Sequence, residues 1–82
     1  MITILAILEG VRKILVSELK ITDQQVDLDS NISADLGADS LQTMEIVTAL
    51  EDKFTVSISD DVADRFKTVR DIVWEIECLT RG

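Results

Sequence analysis

Leu36-Gly37-Ala38-Asp39-Ser40-Leu41-Gln42 marks the change from a polar, irregular segment to an amphipathic helix. Gly37 tolerates positive φ and so permits a sharp entry into that helix. Asp39 and Gln42 form a D-x-x-Q pair, an N-cap with its capping-box partner. Ser40 then falls in the first turn, its hydroxyl beside backbone N–H groups that lack helical partners. A phosphodiester built on that hydroxyl would lie at the positive end of the helix dipole, which makes the position suited to carrying an anion. Serine is also common at helix starts, so position alone leaves the plain reading of a helix-start serine open.

Downstream, Thr43, Ile46, Val47, Leu50 and Phe54 share one face at helical spacing, which predicts a helix ending near Lys53. Leu41, Glu45, Thr48 and Asp52 fall on a different face. Upstream, residues 20–39 lose the periodicity and read as a long loop, a feature that is often functional. Val26, Leu28, Ile32 and Leu36 are expected to pin it to the core. Before it, Ile4, Ile7, Val11, Ile14 and Leu15 form a stripe over residues 3–19, widened by Leu8, with Ile2, Leu5 and Val16 off it.

After the central helix, residues 55–59 read as extended or irregular, and residues 60–65 as a short helix capped by Ser59 or Asp60. Lys67 or Thr68 opens a last helix with Val69, Ile72, Val73 and Ile76 inward. Trp74 and Cys78 lie on its other side, where Trp74 either marks a contact surface or, as we expect, packs against Leu5 or Val16. Alternation that would support strands is confined to residues 55–59, too short for a sheet. The expected fold is all-α: a small up-down helical bundle of three long helices plus one short helix, with a long first loop. Residues 1–82 make one domain.

Charge and residue types narrow the function. Residues 21 to 64 hold eleven acids against the single base Lys53, while each flank sums to +1, giving -8 in all. Such a chain lacks the basic footprint of a nucleic-acid binder and would be repelled by anionic membrane surfaces. It suits partners with basic patches, met by electrostatic steering. The chain has no His, which removes His-based triads and metal sites, and a serine hydrolase built on Ser40 would lack an activating base. The lone Cys78 permits no internal disulfide and fits a reducing compartment, the cytoplasm. The apolar start lacks a basic region and meets Glu9 early, so it reads as helix, not signal peptide, and no run reaches the length of a membrane span. Asp27-Leu28-Asp29-Ser30-Asn31 opens like a calcium loop, the basis of an alternative reading as an acidic calcium-responsive module. The sixth position is Ile32 instead of Gly and the twelfth is Ala38 instead of Glu, so no metal site is expected.

Asp35-Leu36-Gly37-Ala38-Asp39-Ser40-Leu41, followed by Met44-Glu45-Ile46-Val47 and Ala49-Leu50-Glu51, resembles the acyl carrier protein family. The likeness runs from the first helix through Lys67-Thr68-Val69 and covers essentially the whole chain. It is to the discrete bacterial and organellar carriers in particular, since peptide-synthesis carriers more often have a second Gly where Ala38 stands. The resemblance implies that Ser40, flanked by Asp39 and Leu41, receives 4′-phosphopantetheine from coenzyme A through a phosphopantetheinyl transferase. The arm would carry acyl intermediates as thioesters for fatty-acid or related polyketide and lipid biosynthesis, and the protein itself would not be an enzyme. It further implies a monomer whose partner face holds Leu41, Met44, Glu45, Thr48, Glu51 and Asp52, docking onto basic patches of synthases, transferases and reductases. Acyl chains would slide into a core lined by Ile46, Val47, Leu50, Phe54, Ile58, Val62 and Phe66. The family often has Phe at Ile32, an acid at Gln42, Met at Thr48 and Pro at Ser59. These departures spare the attachment chemistry and leave open a specialised carrier outside primary fatty-acid synthesis.

Overall fold

The computed structural model describes residues 3–81, so the off-stripe assignment of Ile2 lies outside the described residues. Helix α1 (Ile4–Leu19) starts where Thr3 Oγ1 accepts the Ala6 N–H at 3.1 Å. Helix α2 (Ser40–Phe54), the short α3 (Asp60–Ala63) and α4 (Val69–Arg81) follow. The principal helix packings are α1 on α2 and α1 on α4, so α1 is the shared wall of the bundle. No helix among the described residues is long and apolar enough to cross a membrane.

The core follows from the stripes. Ile7, Val11 and Leu15 of α1, Ile46 and Leu50 of α2, and Val69, Ile72, Val73 and Ile76 of α4 are buried together. Each such side chain contributes roughly 1.5–3 kcal/mol by leaving water. Gly10 is buried at the α1–α2 contact because Phe54 sits against it: a Cβ there would fall 2.7 Å from the Phe54 ring. Ile4 departs from the predicted stripe and is 52% exposed. It lies in the first turn, and periodicity assigns a face without saying how far the partner helices extend along it. Ile14 is half-buried for a related reason, standing at the edge of the stripe.

The long loop is built, not slack. Gln25 Oε1 accepts the Thr22 N–H at 2.9 Å and closes a single 3-10 turn, Asp23–Gln25. Val26, Ile32 and Leu36 are buried and Leu28 is half-buried, so the four expected pins hold it. Asn31 Oδ1 accepts the N–H groups of Ser33 and Ala34, and Asp35 Oδ2 accepts the Asn31 N–H. Backbone bonds then stitch the loop to the start of α4: Ile32 N–H to Lys67 C=O at 2.8 Å, Val69 N–H to Ser30 C=O, and Arg70 N–H to Leu28 C=O. The isolated Asn31–Thr68 bridge in this seam satisfies buried polar groups without forming a strand.

Lys20 and Thr55 follow α1 and α2 in the left-handed region, each with φ of 55°. Such residues end helices, but an L side chain pays about 1–2 kcal/mol to adopt that conformation. At α4, Thr68 Oγ1 accepts the Asp71 N–H while the Asp71 carboxylate accepts the Thr68 and Lys67 N–H groups at 3.0 and 2.9 Å. The Thr68 N–H does most to hold the Asp71 carboxyl below its usual value; burial opposes it, and the Lys67 N–H, the Thr68 side chain and the Lys67 charge add to the lowering.

Candidate functional site

Ser40 is the first residue of α2 and is exposed. The sequence pair Asp39–Gln42 closes as a reciprocal box: Gln42 N–H donates to Asp39 Oδ1 at 2.8 Å, and Asp39 N–H donates to Gln42 Oε1 at 3.2 Å. Thr43 adds its hydroxyl to the Asp39 carbonyl at 2.8 Å. The donors of Asp39 and Gln42 are thus satisfied. Those of Ser40 and Leu41 make no hydrogen bond among the described residues, and neither does the Ser40 hydroxyl. Two free N–H groups and the dipole therefore surround the one hydroxyl.

The approach to this turn is fixed. Gly37 takes φ of +78°, where an L side chain is strained, and nothing crowds it. Ala38 is 6% exposed and its N–H donates to the Ile32 carbonyl, so the residue two before Ser40 is locked into the core. Ser40 stands at the mouth of a cleft of about 940 Å³. One wall is a single face of α2: Ser40, Thr43, Met44, Val47, Thr48 and Glu51. The facing wall is Ile58, Asp60, Ala63, Asp64 and Phe66.

The expected site residues divide. Leu41, next to Ser40, and Met44, one turn on, are 67% and 68% exposed. Glu45, Thr48 and Asp52 are exposed as well. Glu51 is half-buried and its carboxylate accepts the Ile58 N–H at 2.7 Å, so it is turned to the cleft. Of the proposed acyl-core residues, Val47, Ile58 and Phe66 line the cleft. Ile46 and Leu50 are closed off in the core at 2% and 0% exposure. Phe54 is turned against Gly10 of α1, and Val62 lines a different groove with Phe66, Trp74 and Cys78. Helical periodicity does not distinguish these directions, because a face wide enough for two neighbours serves both.

Trp74 is 57% exposed on that second groove beside α3, and Leu5 is 74% exposed, which corrects the expected packing of Trp74 on α1. The calcium-like stretch is consumed internally. Asp29 pairs with Arg70 at 2.7 Å, and the Ser30 hydroxyl donates to the Gln25 carbonyl and accepts the Asp27 N–H. Among the described residues no group of three His, Cys, Asp or Glu is placed to hold a metal. The Glu51–Ile58 bond and the cleft positions Ala38, Asp60, Ala63 and Asp64 are additional to the sequence reading. Only the i, i+4 run from Ser40 through Met44 and Thr48 hinted at a continuous wall.

The residues present fit a phosphodiester-linked arm: an exposed hydroxyl, two free N–H donors for its phosphate, and an adjoining cleft for what it bears. Comparison with known proteins agrees. The family model described as "Phosphopantetheine attachment site" matches residues 9–74. The chain is 45% identical over 75 residues to an acyl carrier protein of Campylobacter concisus, covering 92% of this chain and 97% of that one. It is 42% identical over 77 residues to that of Campylobacter lari, covering 94% and 100%. It is 45% identical over 71 residues to that of Exiguobacterium sibiricum, covering 87% and 90%. The chain belongs to the acyl carrier protein family, the phosphopantetheine-bearing carriers. It is a carrier of acyl groups on 4′-phosphopantetheine, not a catalyst, and its partners include a phosphopantetheinyl transferase and fatty-acid enzymes in general.

Proposed function

We propose that Ser40 is the residue that holds the arm, with Asp39 and Leu41 framing it. The observation that carries this reading is the exposed Ser40 hydroxyl beside the free Ser40 and Leu41 N–H groups, at the mouth of the cleft. Asp39 fixes the turn through its box with Gln42, and the two N–H groups stabilise the phosphate that Ser40 would bear. The arm supplies a thiol that holds the acyl group as a thioester; the chain supplies attachment, orientation and shelter.

Shelter falls to Val47, Ile58 and Phe66 of the cleft, with Ile46 and Leu50 behind them; Phe54 and Val62 face elsewhere. Leu41, Met44, Glu45, Thr48 and Asp52 make the partner face: two exposed apolar contacts within an acidic surround. Synthases, transferases and reductases with basic patches fit it, steered by charge and released quickly. The protein acts as a monomer in the cytoplasm, where the exposed Cys78 thiol stays reduced. Its pathway is fatty-acid or related lipid biosynthesis.

Incubation with coenzyme A and a broad-specificity phosphopantetheinyl transferase, followed by mass spectrometry, tests the attachment. The wild type is expected to gain one phosphopantetheine and Ser40→Ala none. A loaded Ser40→Ala protein, or an unloaded wild type, would sink the assignment.

A further inference from the structure

Between residues 55 and 68 only Ile58 is buried, at 8% exposure. That stretch includes the whole facing wall of the cleft, and α3 within it has no buried residue of its own. Val56, Val62, Ala63 and Phe66 pack against the core only in part, whereas Ile58 is held twice: by its buried side chain, and by its N–H on the Glu51 carboxylate at 2.7 Å. Glu51 itself belongs to the opposite wall, on α2. One charge-assisted hydrogen bond thus spans the two sides of the cleft. Such bonds are about twice as strong as neutral ones. Immediately before this tie, Thr55 sits in the left-handed conformation that a β-branched residue adopts only under constraint. The segment between α2 and Ile58 is consequently a bent strap with a latch at its far end.

We propose that Glu51 is a positioning residue whose carboxylate latches Ile58 and so sets how closely the α3 wall covers cargo in the cleft beside Ser40. The proposal rests on the assignment of Ser40 as the attachment point. With the latch closed, Ile58 and Phe66 stay against the α2 face. With it released, Ile58 keeps only its side-chain anchor, and the wall swings on Thr55 to expose the cleft. The acceptor oxygen and its reach matter, so glutamine replaces glutamate and aspartate, one methylene shorter, does not.

Two measurements test this. In the unmodified protein, amide hydrogen exchange at Ile58 is expected to quicken by about tenfold or more in Glu51→Ala and Glu51→Asp, and to stay near wild type in Glu51→Gln. Exchange at Ile72 and Ile76, in the α4 core, is the control for global loosening, and the aspartate variant serves should alanine fail to fold. In protein loaded with octanoyl or acetyl thioester, hydroxylamine attacks the carbonyl carbon, the C–S bond breaks, and the thiol leaves with a proton. The octanoyl group is expected to be released several-fold faster from the alanine and aspartate variants than from wild type or Glu51→Gln. Acetyl, too short to lie under the wall, is expected to be released equally from all four. Unchanged Ile58 exchange in Glu51→Ala, unchanged octanoyl release despite faster exchange, or a glutamine variant that behaves like alanine would each overturn the latch. The exchange result needs no arm, so it stands apart from any failure of Ser40 to be loaded.

Discussion

Single residues at helix starts do two kinds of work in this chain. Asp39 accepts an N–H of the turn that follows it, whereas Asp71 reaches back from the first turn of α4 to the N–H groups before the helix, and only Asp39 adjoins a residue left free for chemistry. Asp71 gives a pH-dependent term. Its carboxyl is held below the ordinary 3.8 by hydrogen bonds in the folded state, so the stabilisation is complete above 3.8 and is lost as pH falls through the lower folded value. Asp71→Asn keeps an acceptor and removes the charge. It is expected to lower unfolding free energy at pH 7 by about 0.5 kcal/mol, the scale of one helix-dipole interaction at the surface. Urea melts at pH 7 and pH 2.5 check this, with the gap narrowing at the lower pH; a gap that widened would contradict the sign. The D-x-x-Q pair and the glycine at Gly37 were legible because capping and positive φ leave narrow sequence signatures. The inward turn of Glu51 was not, since its partner is a backbone N–H seven residues on, which any residue but proline supplies.

At the scale of elements, periodicity located the helices and most of their inner faces. It failed where an element ends or serves two neighbours: Ile4 at the first turn of α1, Phe54 between the cleft and Gly10, Trp74 between α1 and α3. The joints between elements carry the strain. Thr55 closes α2 with φ of 55°, a conformation that glycine adopts freely. Thr55→Gly is therefore expected to raise stability by about 1 kcal/mol, read as a higher midpoint in thermal or urea unfolding. An unchanged or lower midpoint would mean that the threonine side chain offsets its own backbone cost. The loop seam at Lys67–Arg70 was invisible in sequence, because backbone-to-backbone bonds carry no side-chain signature.

Across the whole molecule, charge is arranged as a field. The eleven acids of the middle segment include the exposed Glu45 and Asp52, with two exposed apolar residues, Leu41 and Met44, close to Ser40. Reversing Glu45 and Asp52 to Lys changes the net charge by four, from -8 to -4, without touching a buried group. Transfer of acyl groups to a partner with a basic patch is expected to slow about tenfold or more at low salt, with the difference shrinking as ionic strength rises past about 0.15 M. The melting temperature is expected to hold or rise, since the chain repels itself less. Equal transfer rates at low salt would remove this face from docking.

The seam that ties residues 28–32 to residues 67–70 also has a bearing on timing. During synthesis Ser40 emerges long before Arg70, and the segment leading into it lacks its backbone partners at residues 67–70 until that late stretch has left the ribosome. Helix α2 can form early from its own cap, but Ile32, whose carbonyl holds Ala38, is fastened only when Lys67 arrives. A nascent chain stalled before Lys67 would thus display the serine on a loose tether, and the platform that presents it is completed among the last steps of folding.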